Sequence, residues 1–229
     1  MHVAVILDGN RRFARRLMQK PWKGHEWGAR KVRSLLEWGR EKGVKRFTLY
    51  SLSIENIKKR PKRELGYLFR LFEREFRDIL KPDHEVHRHR IRIRVIGRKE
   101  LLPETLRDLI DRVEAETESY DGYELVLAIA YGGQQEITDA AKKLAEAVKN
   151  GSVDPESIDE EGFSKFLYSD SCPDIIIRTG GEKRLSNFLL WQSAYSELFF
   201  VDKMWPEFEK EDFERILEEF KKRQRRFGG

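Results

Sequence analysis

An aspartate, a glycine and two arginines directly follow the first apolar run of the chain. Residues 3–7 are apolar without a break, which is typical of a strand buried on both faces, and the segment Asp8-Gly9-Asn10-Arg11-Arg12 comes next. Glycine lets a backbone approach a phosphate closely, arginines bind phosphate oxygens in a fork, and a carboxylate beside a phosphate indicates a divalent cation between them. These residue types predict a site for a phosphorylated ligand and a metal ion. An ordinary charged turn after a strand is the simpler alternative.

Polar residues also follow three later apolar runs that have the length and composition of strands. The three polar segments are 53–56 after the run 46–52, 131–133 at the end of the run 124–131, and 178–184 after the run 174–177. Because the carboxyl ends of parallel strands share one edge of a sheet, we expect all four polar segments to converge there. No G-x-x-x-x-G-K-[ST] loop occurs and no G-x-G-x-x-G follows a strand, so nucleotide hydrolysis and dinucleotide redox chemistry are disfavoured.

Helical patterns alternate with these strands along the chain. The predicted helices span residues 13–19, 23–42, 61–80, 103–119, 136–149, 160–167, 185–195 and 210–223, and two more strands are predicted at 91–96 and 198–201. Such alternation predicts an α/β fold, one domain over residues 1–229, with a central, mostly parallel six-stranded sheet surrounded by helices.

The composition sets broad limits on the class of protein. Lysine and arginine number 45 against 40 aspartates and glutamates, a net charge of +5, which suits an anionic ligand or a membrane surface and leaves nucleic acid open. The single cysteine, Cys172, excludes an internal disulfide and favours a reducing, intracellular setting. No apolar run reaches the length of a membrane span and no signal-peptide pattern is present, so we expect a cytoplasmic protein.

Histidines and arginines crowd around the strand predicted at residues 91–96. His84, His87 and His89 could form a metal cluster, but no cysteine accompanies them and their spacing defines no site. The arginines from Arg88 to Arg94 could contact nucleic acid, but no aromatic residues alternate with them to stack on bases. A strand with a basic, solvent-facing side is the favoured interpretation.

Longer segments form a pattern that extends from one end of the chain to the other. They are HVAVILDGNRRFA, GHEWGA, LYSLSIENIKKRP, RVIGR, AYGGQQEI, DIIIRTGGEKRLSNFLLWQSAYSELFFVDKMWP and the closing RRFGG. In these motifs and their order the chain resembles the cis-prenyltransferases, the undecaprenyl diphosphate synthase family. Arg11 and Phe13 stand where the bacterial motif often has glycine and tryptophan, and such departures look more like archaeal or eukaryotic-type members than bacterial ones. The DDxxD motifs of trans-prenyltransferases are absent.

The resemblance implies a reaction, a cofactor and partners. Isopentenyl diphosphate would add repeatedly to an allylic diphosphate, farnesyl or geranylgeranyl, to give a long polycis-polyprenyl diphosphate, the precursor of a glycosyl carrier lipid. Mg²⁺ would assist departure of pyrophosphate. The family resemblance also implies a homodimer, a hydrophobic tunnel along the helix at residues 65–79 for the growing chain, and loose attachment to the cytoplasmic face of the membrane. No nucleic acid partner is expected.

Residue roles follow from the matching motif positions. Asp8 would act on Mg²⁺ and the leaving group, and Asn10 and Asn56 would lie near the reacting carbons. The residues implied to contact the allylic diphosphate or the loop that covers it are Gly9, Arg11, Arg12, His25, Ser53, Glu55 and Arg60. Those implied for isopentenyl diphosphate are Arg178, Arg184 and Ser186, joined across the dimer by Arg226 and Gly228. Glu197 matches an acidic residue linked to the metal.

One alternative function stays open from the sequence. Non-catalytic partner subunits of heteromeric cis-prenyltransferases resemble this fold, but they typically lose the aspartate and the substrate-binding arginines. The corresponding residues are all present in this chain: Asp8, Arg12, Arg178, Arg184 and Glu197. An active enzyme is therefore the favoured prediction.

Overall fold

Six parallel strands form one sheet in the computed structural model, which describes residues 1–223. The strands are β1 (His2–Ile6), β2 (Arg46–Ser53), β3 (Ile91–Ile96), β4 (Tyr123–Tyr131), β5 (Ile175–Arg178) and β6 (Glu197–Phe200). Their order across the sheet is β3-β4-β2-β1-β5-β6, and every neighbouring pair is parallel. The predicted α/β fold is confirmed, and the sheet is parallel throughout rather than mostly so.

The apolar sequence of β1 reflects its central place in this sheet. All five of its residues are buried, with Val3 and Val5 in the core on one face and Ala4 and Ile6 in the core on the other. A strand covered on both faces carries apolar side chains at every position, because no face meets water. The residue after Leu7 is therefore the first place on this strand where a charged side chain can lie at the sheet edge.

Helices cover both faces of the sheet. They are α1 (Asn10–Arg16), α2 (Gly24–Glu41), α3 (Ile54–Lys59), α4 (Lys62–Ile79), α5 (Glu85–Arg88), α6 (Glu104–Thr117), α7 (Gly133–Lys149), α8 (Glu160–Ser164) and α9 (Lys210–Lys222). The apolar stripe of α4 packs on the larger core, where Leu68 and Phe76 are buried and Phe72 lies against them. The predicted tunnel wall thus coincides with the core, and the tunnel itself stays a prediction. No helix within residues 1–223 is long and apolar enough to span a membrane.

The helix predicted at residues 185–195 is wrong. The segment consists of consecutive turns, and Ser186, Asn187 and Leu189 have φ angles of 52°, 66° and 45°. Such left-handed values cannot belong to a right-handed helix. The segment is apolar because Phe188 and Leu189 are buried in the smaller core. Burial, not helical periodicity, explains its composition.

The histidines near β3 have structural roles. His84 Nδ1 accepts from the backbone N–H of Val86 at the start of α5 (3.2 Å), and His87 contacts the Tyr120 hydroxyl (2.9 Å) and the Ile79 carbonyl (2.7 Å). Among the described residues no group of three or more histidine, cysteine, aspartate or glutamate side chains could hold a metal ion. The metal-cluster alternative is therefore not supported.

We expect the stability of the fold to decrease as the pH falls below about 6.5, in part through His2. Its Nε2 lies 2.8 Å from the Thr48 hydroxyl oxygen, and burial together with the charge of Arg46 lowers the pKa of His2 from 6.5 to about 4. Between these values the unfolded chain binds a proton that the folded chain does not. Above the pKa that His2 has in the unfolded chain, its contribution to stability does not depend on pH. As the pH falls from there towards 4, the free energy of unfolding decreases by up to about 3 kcal/mol. Urea unfolding of the wild type and of His2→Gln at several pH values measures this effect. The free energy of unfolding of the variant should depend less steeply on pH than that of the wild type. Equal pH dependences would show that His2 does not contribute.

Candidate active site

The candidate site lies where the strand order of the sheet reverses. From β1 the chain continues to β2 on one side, whereas from β5 it continues to β6 on the other side. Loops that leave neighbouring strands in opposite directions open a crevice at the carboxyl edge, and ligands bind there in open α/β sheets. Asp8 follows β1 and Arg178 ends β5, so both border this crevice.

Asp8 and Arg178 form the centre of the site. Arg178 Nη2 donates to Asp8 Oδ2 at 2.9 Å, and the backbone N–H of Gly9 donates to Oδ1 at 2.6 Å. Arg12 Nη2 lies 3.4 Å from the same Oδ1. The Asp8 side chain is 32% exposed whereas that of Arg178 is only 5% exposed, so the carboxylate meets solvent while its partner is fixed beneath it. Arg178 Nη1 also donates to Ser186 Oγ at 2.7 Å. Five predicted site residues therefore meet here.

Glycines allow the loops of this site to pass close together. Gly9 has a φ of 106°, and a β-carbon on it would lie 2.7 Å from Met204 Cβ. Gly180 has a φ of 85°, and its carbonyl accepts from Arg12 Nη2 at 2.6 Å. A side chain at either position would be strained and would collide with its neighbour. The glycines of both predicted phosphate segments are thus required by the backbone geometry.

A buried carboxylate that the sequence analysis did not single out organises the other side of the crevice. Glu64, in the first turn of α4, is 2% exposed, and its Oε1 lies 2.9 Å from Arg60 Nη1, 3.2 Å from Arg11 Nε and 3.8 Å from His25 Nε2. Arg60 Nη1 also lies 3.0 Å from His25 Nε2. Three residues predicted to contact the allylic diphosphate are therefore held by this one side chain. One feature of the sequence points to Glu64: it is the first acidic residue after a basic segment, residues 56–63, that contains no acid.

The electrostatics of this cluster fix its protonation states. The contact with His25 and the charges of Arg60 and Arg11 hold the pKa of Glu64 below its ordinary value, despite burial. Burial lowers the pKa of His25 below 6.5, although the neighbouring Glu64 opposes this. His25 is accordingly neutral at pH 7.

The polar segments after β2 and β4 are joined through Asn187. Its Nδ2 donates to Glu55 Oε1 at 2.8 Å, and its Oδ1 and carbonyl oxygen accept from the backbone N–H groups of Gln134 (2.8 Å) and Gly133 (2.7 Å). Burial raises the pKa of Glu55, but hydrogen bonds from Asn187 and its other neighbours outweigh it and hold the pKa below the ordinary value. All four predicted strand ends thus belong to one edge. Asn187 lay inside a quoted motif but was not itself predicted.

The two asparagines predicted near the reacting carbons lie at the starts of helices. Asn10 begins α1, and its Nδ2 donates to the Leu7 carbonyl at 3.0 Å. Asn56 lies in the first turn of α3, where its backbone N–H donates to the capping hydroxyl of Ser53 at 3.1 Å. Both helices start at the carboxyl edge of the sheet, which places the two residues at the crevice that contains Asp8.

Several buried polar atoms of the site have no partner among residues 1–223. They are Asn10 Oδ1, Arg60 Nε and Arg178 Nε. Buried polar groups in folded proteins are almost always hydrogen-bonded, so unpaired guanidinium N–H groups indicate that an acceptor is missing. An anion with several oxygens, such as a diphosphate, would accept from the two guanidinium N–H groups, whereas Asn10 Oδ1 needs a donor. The site therefore has the chemistry of an anion-binding crevice with a single carboxylate at its centre.

Comparisons with known proteins agree with this chemistry. A family model described as "Putative undecaprenyl diphosphate synthase" matches residues 6–228. The chain belongs to the undecaprenyl diphosphate synthase family. It is a cis-prenyltransferase, an enzyme of cis-prenyl chain elongation, and the partner-subunit alternative is not favoured.

Archaeal relatives cover nearly the whole of this cis-prenyltransferase. A tritrans,polycis-undecaprenyl-diphosphate synthase (geranylgeranyl-diphosphate specific) from Thermococcus kodakarensis is 51% identical over 99% of this chain and 86% of its own length. A protein of the same name from Methanocaldococcus jannaschii is 49% identical over 99% of this chain and 82% of its own. The predicted archaeal-type resemblance is confirmed.

Solved structures of the same family share the fold. Lavandulyl diphosphate synthase from Lavandula x intermedia, in complex with dimethylallyl diphosphate, superposes with a TM-score of 0.92 at 34% identity, over 100% of this chain and 98% of that one. A probable undecaprenyl diphosphate synthase from Campylobacter jejuni gives 0.82 at 33% identity, with the same coverage.

Glu197 does not join Asp8 within one chain of this cis-prenyltransferase. It begins β6 and is level with Ile175 and Val3, at the amino edge of the sheet, on the order of 15 Å along the strands from Asp8. Its Oε2 pairs with Arg223 Nη1 at 2.6 Å. The family resemblance predicts both acids at the metal, but the register of the strands separates them. A metal shared by these two residues of one chain is therefore not supported.

Arg184 is placed differently from the residues at the centre of the site. The Arg184 side chain is 60% exposed and pairs with Glu182, while its carbonyl accepts from Arg178 Nη1. Its side chain lies at the rim of the crevice, outside the buried network, and only its carbonyl takes part in that network. Arg226 and Gly228 fall outside the described residues.

The donor set at Asp8 suits a metal that binds together with a substrate. One partly exposed carboxylate, with no second acid, histidine or cysteine close enough to complete a described cluster, cannot enclose a cation. Mg²⁺ is commonly bound by one or two carboxylates plus substrate phosphates and keeps several waters. The residues present therefore fit Mg²⁺ only in this shared mode.

Proposed function

We propose that this cis-prenyltransferase elongates geranylgeranyl diphosphate with isopentenyl diphosphate to a polycis-polyprenyl diphosphate of undecaprenyl length, used as a carrier lipid. The observation that carries the chemistry is the Asp8–Arg178 pair at the strand-order reversal, with unpaired guanidinium N–H groups on both sides. The choice of primer rests on the two archaeal relatives, whose names state specificity for geranylgeranyl diphosphate.

The two sides of the crevice take different substrates in this proposal. The allylic diphosphate binds at the start of α1, among Gly9, Arg11, Arg12, His25 and Arg60. Isopentenyl diphosphate binds at the loop after β5, with Arg178, Arg184 and Ser186. Asn10 and Asn56 position the reacting carbons between the two, and Ser53 and Glu55 shape the loop that covers them. The growing apolar chain lies along α4.

The arginines have a role in the departure of pyrophosphate. As the carbon–oxygen bond of the allylic substrate breaks, negative charge accumulates on the leaving group, and fixed cations in a partly buried crevice stabilise that charge without reorganising. Arg12 is poised for this, because its guanidinium is already fixed by the Gly180 carbonyl. When bound to Asp8 and diphosphate oxygens, Mg²⁺ would supply further charge neutralisation.

The assay that tests this proposal supplies Mg²⁺, radiolabelled isopentenyl diphosphate and one of three primers: geranyl, farnesyl or geranylgeranyl diphosphate. We expect label in long lipid, with the highest kcat/KM for geranylgeranyl diphosphate, and none when Mg²⁺ is chelated. A preference for farnesyl diphosphate would contradict the primer assignment. A folded protein that incorporates no label with any primer would contradict the reaction itself.

A homodimer completes the site in this proposal. β6 is an edge strand of the described sheet, and its Leu198 and Phe200 are each 37% exposed on the face opposite Phe199 and the larger core, which supports a contact with a second copy. The terminal motif with Arg226 and Gly228 then reaches the partner's isopentenyl diphosphate. Light scattering that gives only monomer during turnover would contradict this. The enzyme would work in the cytoplasm, attached loosely to the membrane that receives its product.

A further inference from the structure

A basic and partly apolar surface lies beside the active site. Its members come from the end of α1 and the 3-10 turn Pro21–Lys23, and from the junction of α3 and α4: Arg15, Leu17, Met18, Lys20, Trp22 and Lys23, with Lys58, Lys59, Lys62 and Arg63. All of these side chains are exposed except Trp22, which is half-buried. We call these ten residues the basic surface.

Acidic residues are absent from both parts of the basic surface. Residues 9–25 contain six arginines and lysines and residues 56–63 contain five, and neither segment contains an aspartate or glutamate. Two contacts join the segments: the Arg63 guanidinium lies 5.5 Å from the Trp22 ring centroid, and Arg60 Nη1 lies 3.0 Å from His25 Nε2. Glu64, directly after the second segment, is buried in the crevice, where its Oε1 lies 3.2 Å from Arg11 Nε. Some of these cations serve the catalytic crevice. Arg16 pairs with Glu207, and Lys23 Nζ lies 3.4 Å from Glu26 Oε1. The remaining cations produce a positive potential on the exposed side.

Met18 has a backbone conformation that methionine rarely adopts, and its side chain is exposed. The N–H of Gln19 donates to the Ala14 carbonyl (2.8 Å) and that of Met18 to the Arg15 carbonyl (2.9 Å), which is the Schellman pattern at the end of a helix. The position of Met18 in this pattern has a left-handed φ, here 53°, and usually holds glycine. Met18 is nonetheless 95% exposed, and Leu17 beside it is 45% exposed. Contacts within residues 1–223 leave this large apolar side chain almost wholly in water, so the fold itself gains little from it.

We propose that the basic surface binds an anionic lipid membrane, with Leu17 and Met18 inserted among the acyl chains and the surrounding lysines and arginines on the headgroups. A basic surface with apolar side chains at its tip gains both from electrostatic attraction and from burial of apolar area at an anionic interface. Trp22 suits the headgroup level, and its ring is flanked by the ammonium group of Lys20, at 5.7 Å from the ring centroid, as well as by Arg63.

The basic surface lies close to the active site, so its contact with a membrane would affect how the product leaves. α1 starts at Asn10 in the crevice and is seven residues long, so Met18 lies only about 10–12 Å along the helix from the site. This part of the inference rests on the proposed function: a lipid product whose diphosphate is held at the start of α1 would be released close to the bilayer on which the enzyme is docked.

A lipid surface explains the composition better than a nucleic acid does. Phosphate backbones attract the cations equally well, but they offer no apolar phase for Leu17 and Met18. The exposed side chains of Leu17 and Met18 therefore favour a membrane over a nucleic acid as the partner. For this reason the test varies the apolar and the charged residues separately.

The experiment measures co-sedimentation of the full chain with vesicles of phosphatidylcholine alone and of phosphatidylcholine mixed with phosphatidylglycerol, at low and high salt. We expect binding to the anionic vesicles only, weakened by salt. The double variant Leu17→Ser/Met18→Asn should bind at least fivefold more weakly, and Lys20→Gln/Lys23→Gln about tenfold more weakly. Asparagine tolerates the left-handed backbone, so the first variant should unfold no earlier than the wild type.

Matched controls change similar residues elsewhere. Leu101→Ser removes another exposed leucine, and Lys142→Gln/Lys149→Gln removes two exposed charges from α7; both should bind vesicles as the wild type does. Equal binding by all variants, or equal binding to neutral vesicles, would overturn the proposal. So would a DNA duplex that competes fully with vesicles while Leu17→Ser/Met18→Asn binds as tightly as the wild type. Elongation measured without vesicles should be unchanged in every variant, which separates failure of docking from failure of the proposed function.

Discussion

Asp8→Asn is expected to lower kcat for chain elongation by about a hundred- to a thousandfold, while the KM for isopentenyl diphosphate stays the same or falls. Asp8 is the only carboxylate that the described site presents to the centre of the crevice, and it is held there by Arg178 and the Gly9 N–H. An asparagine has nearly the same shape but has lost the charge that would bind Mg²⁺. It also repels a diphosphate less.

The kcat and KM values together separate a catalytic role for Asp8 from a structural one. Steady-state kinetics with each substrate varied in turn, and binding of a diphosphate without Mg²⁺, are the measurements. Asp108→Asn, an exposed charge on α6, is the matched control and should have wild-type kinetics. If Asp8→Asn raised both KM values and left kcat within a few-fold, Asp8 would serve only to hold Arg12 and Arg178.

Glu64→Gln is expected to raise the KM for the allylic primer at least tenfold and to reduce the free energy of unfolding by about 3 kcal/mol. The carboxylate is buried and lies within 4 Å of Arg60, Arg11 and His25. Without its charge, Arg60 becomes a buried cation that repels Arg11. Both guanidinium groups then move, and the allylic diphosphate loses two aligned donors.

A matched control on the same helix isolates the effect of burial. Glu75→Gln removes the carboxylate that pairs with Arg33 at 3.0 Å, but that pair is far more exposed, so the expected loss is below about 1 kcal/mol with unchanged kinetics. Glu64→Asp, which keeps the charge, should recover part of the KM. Because Glu64 positions residues of the allylic side only, the KM for isopentenyl diphosphate should stay within twofold. A fall in stability with no change in the KM of the primer would reduce Glu64 to a structural role.

Residues placed by strand ends were predictable from the sequence. The apolar runs before Asp8 and Arg178 identify buried parallel strands, and parallel strands bring their carboxyl ends to one edge whatever their order. The approximate bounds of most helices follow from periodicity in the same way. Asp8, Arg12 and Arg178 can therefore be predicted to lie close together even when the order of the strands is unknown.

Residues placed by strand register or by burial were not predictable in this way. Glu197 was assigned to the metal, but only the register of β6 shows that it begins the strand and lies at the opposite edge. Glu64 looks like an ordinary acid in the first turn of an amphipathic helix, and its burial depends on how α4 meets α1. Residues 185–195 were misassigned because an apolar segment with left-handed turns has the same composition as a helix.

The central place of β1 has a consequence for how the chain is made. β1 leaves the ribosome first, yet one of its two neighbours is β5, and the Asp8–Arg178 bond spans 170 residues of sequence. At ~5–20 residues per second, synthesis of that stretch takes on the order of ten seconds or more. During this time one edge of β1, in which residues 3–6 are all apolar, has no partner, and nascent chains can pair with one another at such an edge. Quality control in the cell must protect this enzyme chiefly while it is being synthesised, before its active site exists.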